Sequence, residues 1–311
     1  MKKEVIFRMS SPYRDEFKIY GYRFGSGTKS LAVVGALRGD EVEQQFTCAT
    51  LIKSLTELEE SGALMPGCEI LVIPCVNPYS MNIGKRFWSM DNTDINRMFP
   101  GYDKGETTQR IAAALFSSVQ DYKYGIQLAS YYIPGGFIPH VRMLNTGYQS
   151  EREAMAFGLP YVFVKNVAPY DTALLNYNWQ IWETKAFSLY TGHTGKLRSA
   201  SVDNAVTALL RFIANVGLIS LSTRPGFQSE VITEADFVTL KTKRSGVFRK
   251  FKSAQDSVNR GDIIGEVVDP YDAQTLESIV SPVNGVIFFS QEKPLVLEGA
   301  RAFQIIEDRI V

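Results

Sequence analysis

One segment near the start of the chain is apolar without alternation, which is the pattern of a strand buried on both faces. It spans residues 31–37 (Leu-Ala-Val-Val-Gly-Ala-Leu), and the next strand is expected over residues 69–75 (Glu-Ile-Leu-Val-Ile-Pro-Cys). Between them, residues 41–60 carry apolar side chains at helical spacing, and Gly62 lies just beyond. The apolar positions of this helix are Val42, Phe46, Ala49, Ile52 and Leu55. The pattern predicts a strand, a helix and a second strand in succession.

The alternation of strand and helix continues to about residue 221. Residues 77–105 show no clear apolar period, and a loop of that length inside a compact domain is usually functional. Strands separated by helices predict an α/β sheet with helices on both faces. The further elements that we expect are helices over 107–119 and 202–216 and strands over 125–129, 161–167 and 186–191.

The last third of the chain has a different pattern. From Gly226 onward, short apolar segments are separated by Gly, Pro and Asp turns, which predicts β-strands without long helices. Two stretches, Ser245-Gly-Val-Phe and Asn284-Gly-Val-Ile-Phe, echo each other and suggest a folded-over β sandwich. A chain of 311 residues suits two domains. We therefore expect an α/β domain over residues 1–221 and an all-β domain over residues 222–311.

The internal repeat resembles the barrel-sandwich fold of biotinyl and lipoyl carrier domains. Such a carrier needs a modifiable lysine on a tight turn. Lys293, which precedes Pro294, is a poor match because no recognisable motif flanks it. We therefore interpret the all-β domain as a lid or an oligomerisation module, and a homo-oligomer is one expected state.

Charge and composition exclude several partners. The 33 basic and 33 acidic residues cancel, so no net field favours nucleic acid or an anionic membrane. No apolar run approaches the ~20 residues that span a bilayer, and the first residues lack the apolar segment of a secretory signal. Cys48, Cys68 and Cys75 form no C-x-x-C pair, which favours reduced, buried thiols. We expect a cytoplasmic protein with no nucleic-acid or membrane partner.

The turn after the first buried strand carries Arg38 and Glu41 at a spacing that places both side chains on one face. A histidine at position 38 would complete an H-x-x-E pair, which supplies two zinc ligands. Arginine cannot replace that histidine, because its guanidinium stays protonated and has no lone pair to offer.

The long loop contains a second group of candidate residues. Arg86 and Arg97 suit bidentate binding of a carboxylate or a phosphate, and Asn96 adds a neutral donor and acceptor. Alternatively, Asp94 pairs with Arg86 or Arg97 and braces the loop.

These motifs together resemble the succinylglutamate desuccinylase/aspartoacylase family, a branch of the zinc-carboxypeptidase-like hydrolases. The resemblance covers about residues 30–220 in order. It rests on Gly39-Asp40-Glu41, Asn77-Pro78, Arg86 and the run Asp94-Ile-Asn96-Arg97-Met-Phe99-Pro100-Gly101. It implies a zinc-carboxypeptidase-like mixed sheet flanked by helices, followed by the all-β, barrel-sandwich-like domain that many relatives carry.

The resemblance also implies a zinc-dependent cleavage of an amide or ester bond in a carboxylate-bearing molecule. In the family, an H-x-x-E pair and a later histidine hold the zinc, and a glutamate on a late strand acts as general acid and base. By this match Glu41 is the glutamate ligand. The residues that match the carboxylate-binding group are Arg86, Asn96 and Arg97.

The chain departs from the family at the positions that carry the chemistry. Arg38 and Ala129 occupy the two histidine positions, Gln127 replaces the acid that would orient the second histidine, and Tyr190 aligns with the catalytic glutamate. We therefore expect no zinc at the family position and an ion pair between Arg38 and Glu41. The alternative is zinc at a rebuilt site made from Glu41 with Asp40, His140 or His193.

The histidines and aromatic residues leave alternatives open. His140 follows a glycine-led segment, and we interpret it as a surface or hydrogen-bonded loop histidine; the alternative is that it turns toward the cleft. His193 is either a turn or a pocket residue. The aromatic stretch over residues 170–182 is either core packing or a pocket wall.

Three functions follow from these expectations. The first is a catalytically silent protein in which Arg38, Arg86 and Arg97 bind a small carboxylate or phosphate. The second is an active hydrolase with a rebuilt metal site, or one in which Tyr190 is acid or base despite an ordinary pKa near 10. The third is a structural or regulatory partner of an active relative.

Overall fold

The computed structural model describes residues 1–191 and 196–308 of the chain. The chain divides into two compact units. The first unit consists of Met1–Ser130 and Pro139–Val231, and the second consists of Tyr131–Ile138 and the residues from Ile232 onward. The inserted segment shows that the second unit is built from two separate parts of the sequence.

The α-helices among the described residues belong to the first unit. They are α1 (Val42–Glu60), α2 (Pro78–Asn82), α3 (Thr107–Val119), α4 (Glu151–Met155), α5 (Leu175–Ile181) and α6 (Ser199–Asn215). The first ten strands are β1 (Lys2–Ser11), β2 (Arg14–Gly25), β3 (Thr28–Ala36), β4 (Cys68–Cys75), β5 (Tyr124–Leu128), β6 (Gly135–Phe137), β7 (His140–Asn145), β8 (Tyr161–Asn166), β9 (Lys185–Tyr190) and β10 (Glu230–Ile232). Short 3-10 turns occur at Ile95–Arg97 and Pro169–Asp171.

A nine-stranded mixed sheet forms the centre of the first unit, in the order β1-β2-β4-β3-β5-β9-β7-β8-β10. Strands β4, β3, β5 and β9 are parallel to one another, whereas β7 is antiparallel to β9. The carboxyl ends of β3, β5 and β9 therefore meet the first residue of β7 at one edge of the sheet. In open α/β sheets this edge is where ligands bind.

Apolar cores lie on both faces of the sheet, as the sequence predicts. On one face, α1 and α6 pack on Val33, Ile126 and Phe187. On the other face, α3 and α5 pack on Val34 and Ala186. Burial on both faces explains why the central strands are continuously apolar rather than alternating.

The second unit contains two antiparallel sheets. Its strands are β6 with β11 (Phe237–Lys241), β12 (Gly246–Lys250), β13 (Ser257–Val258), β14 (Ile263–Val268), β15 (Thr275–Val280), β16 (Gly285–Gln291), β17 (Leu295–Val296) and β18 (Arg301–Glu307). One sheet has the order β11-β18-β16-β13 with β6 paired to β16, and the other has the order β15-β14-β12-β17. Side chains from both sheets, such as Phe248 and Phe303, share one core.

The predicted helix over 107–119 is confirmed, and the ends of the predicted central strands differ from the observed ones by one to three residues. The hairpin β1–β2, strand β7 and helix α5 were not predicted. The long loop contains α2 and the 3-10 turn Ile95–Arg97. The unit boundary lies after Val231 rather than after residue 221, because β10 adds to the large sheet beside β8.

Two further expectations can be compared with the described residues. Cys48, Cys68 and Cys75 are free thiols, as predicted. None of the helices in the described part of the chain is both long and apolar enough to cross a membrane.

Candidate functional site

The candidate site lies at the edge of the sheet where β3, β5 and β9 end. Arg38 and Glu41 lie in the turn between β3 and α1, and Ser130 follows β5. The long loop approaches the same turn, since the backbone N–H of Gly39 donates to the carbonyl of Arg86 at 2.9 Å. A Cβ at Gly39 would lie 2.3 Å from the carbonyl oxygen of Lys85, so this approach requires glycine.

Arg38 forms ion pairs with two carboxylates. Its Nη1 lies 3.3 Å from Oε1 of Glu41, and its Nη2 lies 2.9 Å from Oδ2 of Asp94. Its backbone N–H also donates to Oε2 of Glu41 at 3.1 Å. Arg38 is 8% exposed and Glu41 is fully buried, so solvent screens this group only weakly.

The environment keeps Arg38 charged. Burial by itself would lower the pKa of its guanidinium, but the carboxylates of Glu41 and Asp94 raise that pKa above the ordinary arginine value. The predicted pair of Arg38 with Glu41 is therefore present, and Asp94 joins it.

The residues at this position do not fit a zinc ion. Oε1 of Glu41 accepts a hydrogen bond from the Ser130 hydroxyl at 2.7 Å in addition to its contact with Arg38. Ala129, which the sequence resemblance places at the second histidine position, is buried and offers only a methyl group. Structural zinc needs four donors and catalytic zinc at least three from the protein, whereas this position offers one carboxylate beside a cation. Among the described residues, no group of three or more His, Cys, Asp or Glu side chains could hold a metal ion.

The other arginines of the predicted binding group also have partners within the protein. Arg86 donates from Nη1 to Oδ2 of Asp40 at 2.8 Å, and Arg97 donates from Nη1 to the carbonyl of Tyr170 at 2.8 Å. Oδ1 of Asn96 accepts from the backbone N–H of Leu175 at 3.2 Å, which fixes the start of α5.

The position of Asp94 bears on the alternative that this residue braces the loop. Its Oδ2 lies 3.9 Å from Nε of Arg97 and is closer to Arg38, so the strongest brace joins the loop to the turn after β3. The arginine of the group with the most exposed side chain is Arg97, at 41%.

His140 lies elsewhere than the sequence predicts. It is the first residue of β7 and is fully buried, so its interpretation as a loop histidine is wrong. Its ring stacks on the ring of Tyr190, with centroids 4.9 Å apart and planes inclined by 3°. His193 lies outside the described residues.

Arg142 is a residue of this region that the sequence did not reveal. Its Nη1 donates to the hydroxyl of Tyr190 at 3.1 Å, and its guanidinium lies 4.2 Å from the centre of that ring. The signal was present as an alternation over β7, in which buried Val141 and Met143 face one core while His140 and Arg142 face the opposite side. The glycines before it suggested a loop instead.

The aromatic stretch of residues 170–182 includes α5. Trp179 is fully buried, and its indole N–H donates to the carbonyl of Val119 at 3.1 Å, which is core packing. Trp182 is 49% exposed, and its ring contacts Phe116 edge-on.

Solved structures with the same fold share little sequence with this chain. A succinylglutamate desuccinylase/aspartoacylase from Rhodobacter sphaeroides is 19% identical, with a TM-score of 0.81 over 99% of this chain and 95% of that one. The product-bound ectoine utilization protein EutE (DoeB) from Ruegeria pomeroyi is 16% identical, with a TM-score of 0.77 over 95% and 92%. An aspartoacylase family protein from Mesorhizobium loti is 20% identical, with a TM-score of 0.73 over 94% and 91%.

No curated protein matches the sequence. The model of the succinylglutamate desuccinylase/aspartoacylase catalytic domain, in contrast, matches residues 27–216. The matched region covers most of the first unit, including the turn after β3, the long loop and the end of β9. This chain therefore belongs to the succinylglutamate desuccinylase/aspartoacylase family.

Proposed function

We propose that this family member binds a small carboxylate-bearing molecule and does not carry out zinc-dependent hydrolysis at the family position. The observation that carries the proposal is the buried ion pair of Arg38 with Glu41 and Asp94. The guanidinium neutralises the same carboxylate that would otherwise hold the metal ion. It cannot itself bind a metal ion, because it has no lone pair to donate.

Electrostatics supports the exclusion of a dication. Three arginines and three acids of this region balance one another, namely Arg38, Arg86 and Arg97 with Asp40, Glu41 and Asp94. A dication beside Glu41 would lie next to a buried, permanently charged guanidinium, and weak screening makes that repulsion costly. Release of Arg38 from the site would in turn leave Asp94 without its closest partner.

Arg97 is the arginine of this group most suited to meet a ligand. Its side chain is partly exposed, and its guanidinium donates to a neutral backbone carbonyl of Tyr170. A hydrogen bond from a guanidinium to a carboxylate is stronger than one to a carbonyl, so an incoming anion can replace this contact.

Calorimetric titration with succinate, together with metal analysis, tests the proposal. We expect wild type to bind succinate, and Arg97→Ala to weaken binding by about tenfold, as loss of one charged hydrogen bond predicts. Arg152→Ala removes an exposed arginine on α4 and is the matched control. After exposure to zinc and gel filtration, wild type should retain far less than one zinc per chain.

Other outcomes would favour the alternatives. One tightly held zinc per chain, with amide cleavage that is lost on chelation, would establish an active hydrolase with a rebuilt site. A chain that binds neither zinc nor any small carboxylate would favour a structural or regulatory role instead.

A further inference from the structure

A row of polar side chains crosses the sheet face that packs on α3 and α5. Gln127 on β5 is paired with Ser188 on β9, and Ser188 is paired with Arg142 on β7. Residues paired directly across neighbouring strands point to the same face. The neighbour of Gln127 on β3 is Val34, which belongs to the apolar core of this face. Gln127 and Ser188 are both buried, so the polar row interrupts an otherwise apolar surface.

Helix α5, which carries Asn176, packs on the same face of the sheet and contacts β9, β5 and β7. Asn176 precedes Gln180 by one helical turn, so both side chains lie on one face of the helix. The Gln180 amide accepts from the N–H of Leu144 at 3.2 Å and donates to its carbonyl at 2.9 Å, which anchors that helix face on β7. Two residues before Leu144, β7 carries Arg142.

The amide of Asn176 is unsatisfied among the described residues. The residue is 3% exposed, and neither its Oδ1 nor its Nδ2 has a hydrogen-bond partner there. A buried polar group left unsatisfied is destabilising, and an asparagine has both an acceptor and a donor to satisfy. Such a group in a native protein requires an explanation, and a ligand that binds there provides one.

Arg142 and Tyr190 form a hydrogen-bonded pair on the same face of the sheet. The Arg142 guanidinium lies 5.1 Å from the ring centre of Phe163 and 4.2 Å from that of Tyr190, so aromatic faces hold its plane in place. A guanidinium that is oriented in advance loses less freedom when it binds a carboxylate. Both side chains are only partly buried, which leaves them within reach of a small molecule.

We infer that Arg142, Tyr190 and Asn176 form a subsite for a small carboxylate that also bears a primary carboxamide. The carboxylate accepts hydrogen bonds from Arg142 and Tyr190, and the carboxamide pairs with Asn176. A primary carboxamide has a donor and an acceptor side by side, so it can pair with the acceptor and the donor of Asn176 simultaneously. This inference rests on the proposed function. It extends the carboxylate-binding site by Arg142 and Asn176, which lie outside the family motifs, and by Tyr190, which aligns with the family's catalytic glutamate.

Calorimetric titration of the full chain with succinamate and with succinate tests the inference. We expect wild type to prefer succinamate by about tenfold, since the amide adds paired hydrogen bonds. Asn176→Leu should abolish the preference and also raise the melting temperature, because it removes two unsatisfied buried groups. Asn176→Ala provides a second, smaller replacement with the same expected loss of preference. Arg142→Gln should weaken both ligands alike, whereas the exposed control Arg152→Gln should change neither.

The failures are distinguishable. Wild type that binds succinate in an Arg97-dependent way but does not prefer succinamate would contradict this inference and leave the proposed function standing. The same holds if Asn176→Leu and Arg142→Gln bind both ligands as wild type does. Binding of neither anion to wild type contradicts both. An Asn176 amide occupied only by an ordered water would give equal affinities for the two ligands, which also contradicts the inference.

Discussion

At the scale of single residues, the buried charges in the turn after β3 have partners within the protein. A metal ion beside Arg38 would add its positive charge to that of the guanidinium. Arg38 instead forms ion pairs with Glu41 and Asp94, and Ser130 completes the hydrogen bonding of the buried carboxylate. Because each buried charge has a partner, the cluster avoids the large cost of an isolated ion in a poorly solvated position.

Removal of Arg38 tests this interpretation through stability. Arg38→Met leaves Glu41 and Asp94 buried without their cation, so we expect the free energy of unfolding to fall by about 3–5 kcal/mol. Urea denaturation followed by circular dichroism measures the change. Arg97→Met removes an arginine whose side chain is 41% exposed and should cost less than about 1 kcal/mol. Equal effects of the two variants would show that the Arg38 cluster is not a special stabilising group.

At the scale of helices and strands, the elements that could be predicted are those with a continuous apolar pattern in the sequence. Strand β3 is buried on both faces and was recognised from that property. Strand β7 was missed because one of its faces carries His140 and Arg142, which interrupt the expected apolar pattern. Helix α5 was missed because it has seven residues, too few for a clear helical period.

The candidate site divides in the same way between predictable and unpredictable parts. Arg38 and Glu41 are three residues apart in one turn, so their side chains are neighbours and the sequence alone indicated the ion pair. The contact of Arg38 with Asp94, 56 positions later, depends on how the long loop folds back on the turn after β3. The side-chain contacts of Asn176 depend on tertiary packing and have no signature in sequence.

The adjacency of β3 and β5 predicts that a zinc site can be rebuilt. These strands are parallel neighbours, so positions 38 and 129 follow their carboxyl ends on the same edge of the sheet. In the double variant Arg38→His, Ala129→His, two imidazoles join Glu41 and the competing guanidinium is gone. We expect about one zinc per chain after gel filtration, measured by elemental analysis. Wild type and the single variant Arg38→His should retain far less, and an equally metal-poor double variant would contradict the assignment of these positions.

The long loop is fixed to α3 by a close backbone approach at Gly101. This residue has φ +93°, and a Cβ would lie 2.1 Å from the backbone nitrogen of Ala113. Gly62 also has positive φ, at +74°, but a Cβ there would meet nothing within 4 Å. Gly62→Ala should therefore lower the free energy of unfolding by about 1 kcal/mol, because of the backbone conformation alone. Gly101→Ala should lower it by about 2 kcal/mol more, because its Cβ also clashes with the backbone of α3.

Chemical denaturation of the two glycine variants measures the difference. Because the loop carries Asp94, Asn96 and Arg97, we also expect Gly101→Ala to weaken succinate binding while Gly62→Ala does not. Indistinguishable stabilities would mean that the loop moves away from α3 at little cost.

At the scale of the whole molecule, the path of the chain connects the two units more than once. It leaves the first unit after Ser130, returns at Pro139 and leaves again after Val231. The segment between the first two crossings contributes β6, which pairs with β16 of the second unit through Phe137 and Phe289. Neither unit is therefore a continuous stretch of sequence, and a division of the gene at residue 221 or 231 would remove a strand from the second unit.

This path predicts that a cut in the chain will not separate its two parts. Residues 220–222 and 224–227 are exposed before β10, so a recognition sequence for a specific protease can be inserted after Leu221. After cleavage, the C-terminal fragment still contains β10, which lies beside β8 in the large sheet, and β16, which pairs with β6. Since both partner strands belong to the N-terminal fragment, we expect two bands on a denaturing gel but one peak at the uncut elution volume in native gel filtration. Elution of two separate fragments would show that neither strand pairing holds the parts together. The variant Gly135→Val places a Cβ within 2.4 Å of the Phe289 ring, so it should weaken only the pairing of β6 with β16. Comparison with this variant therefore shows how much of the association depends on β6.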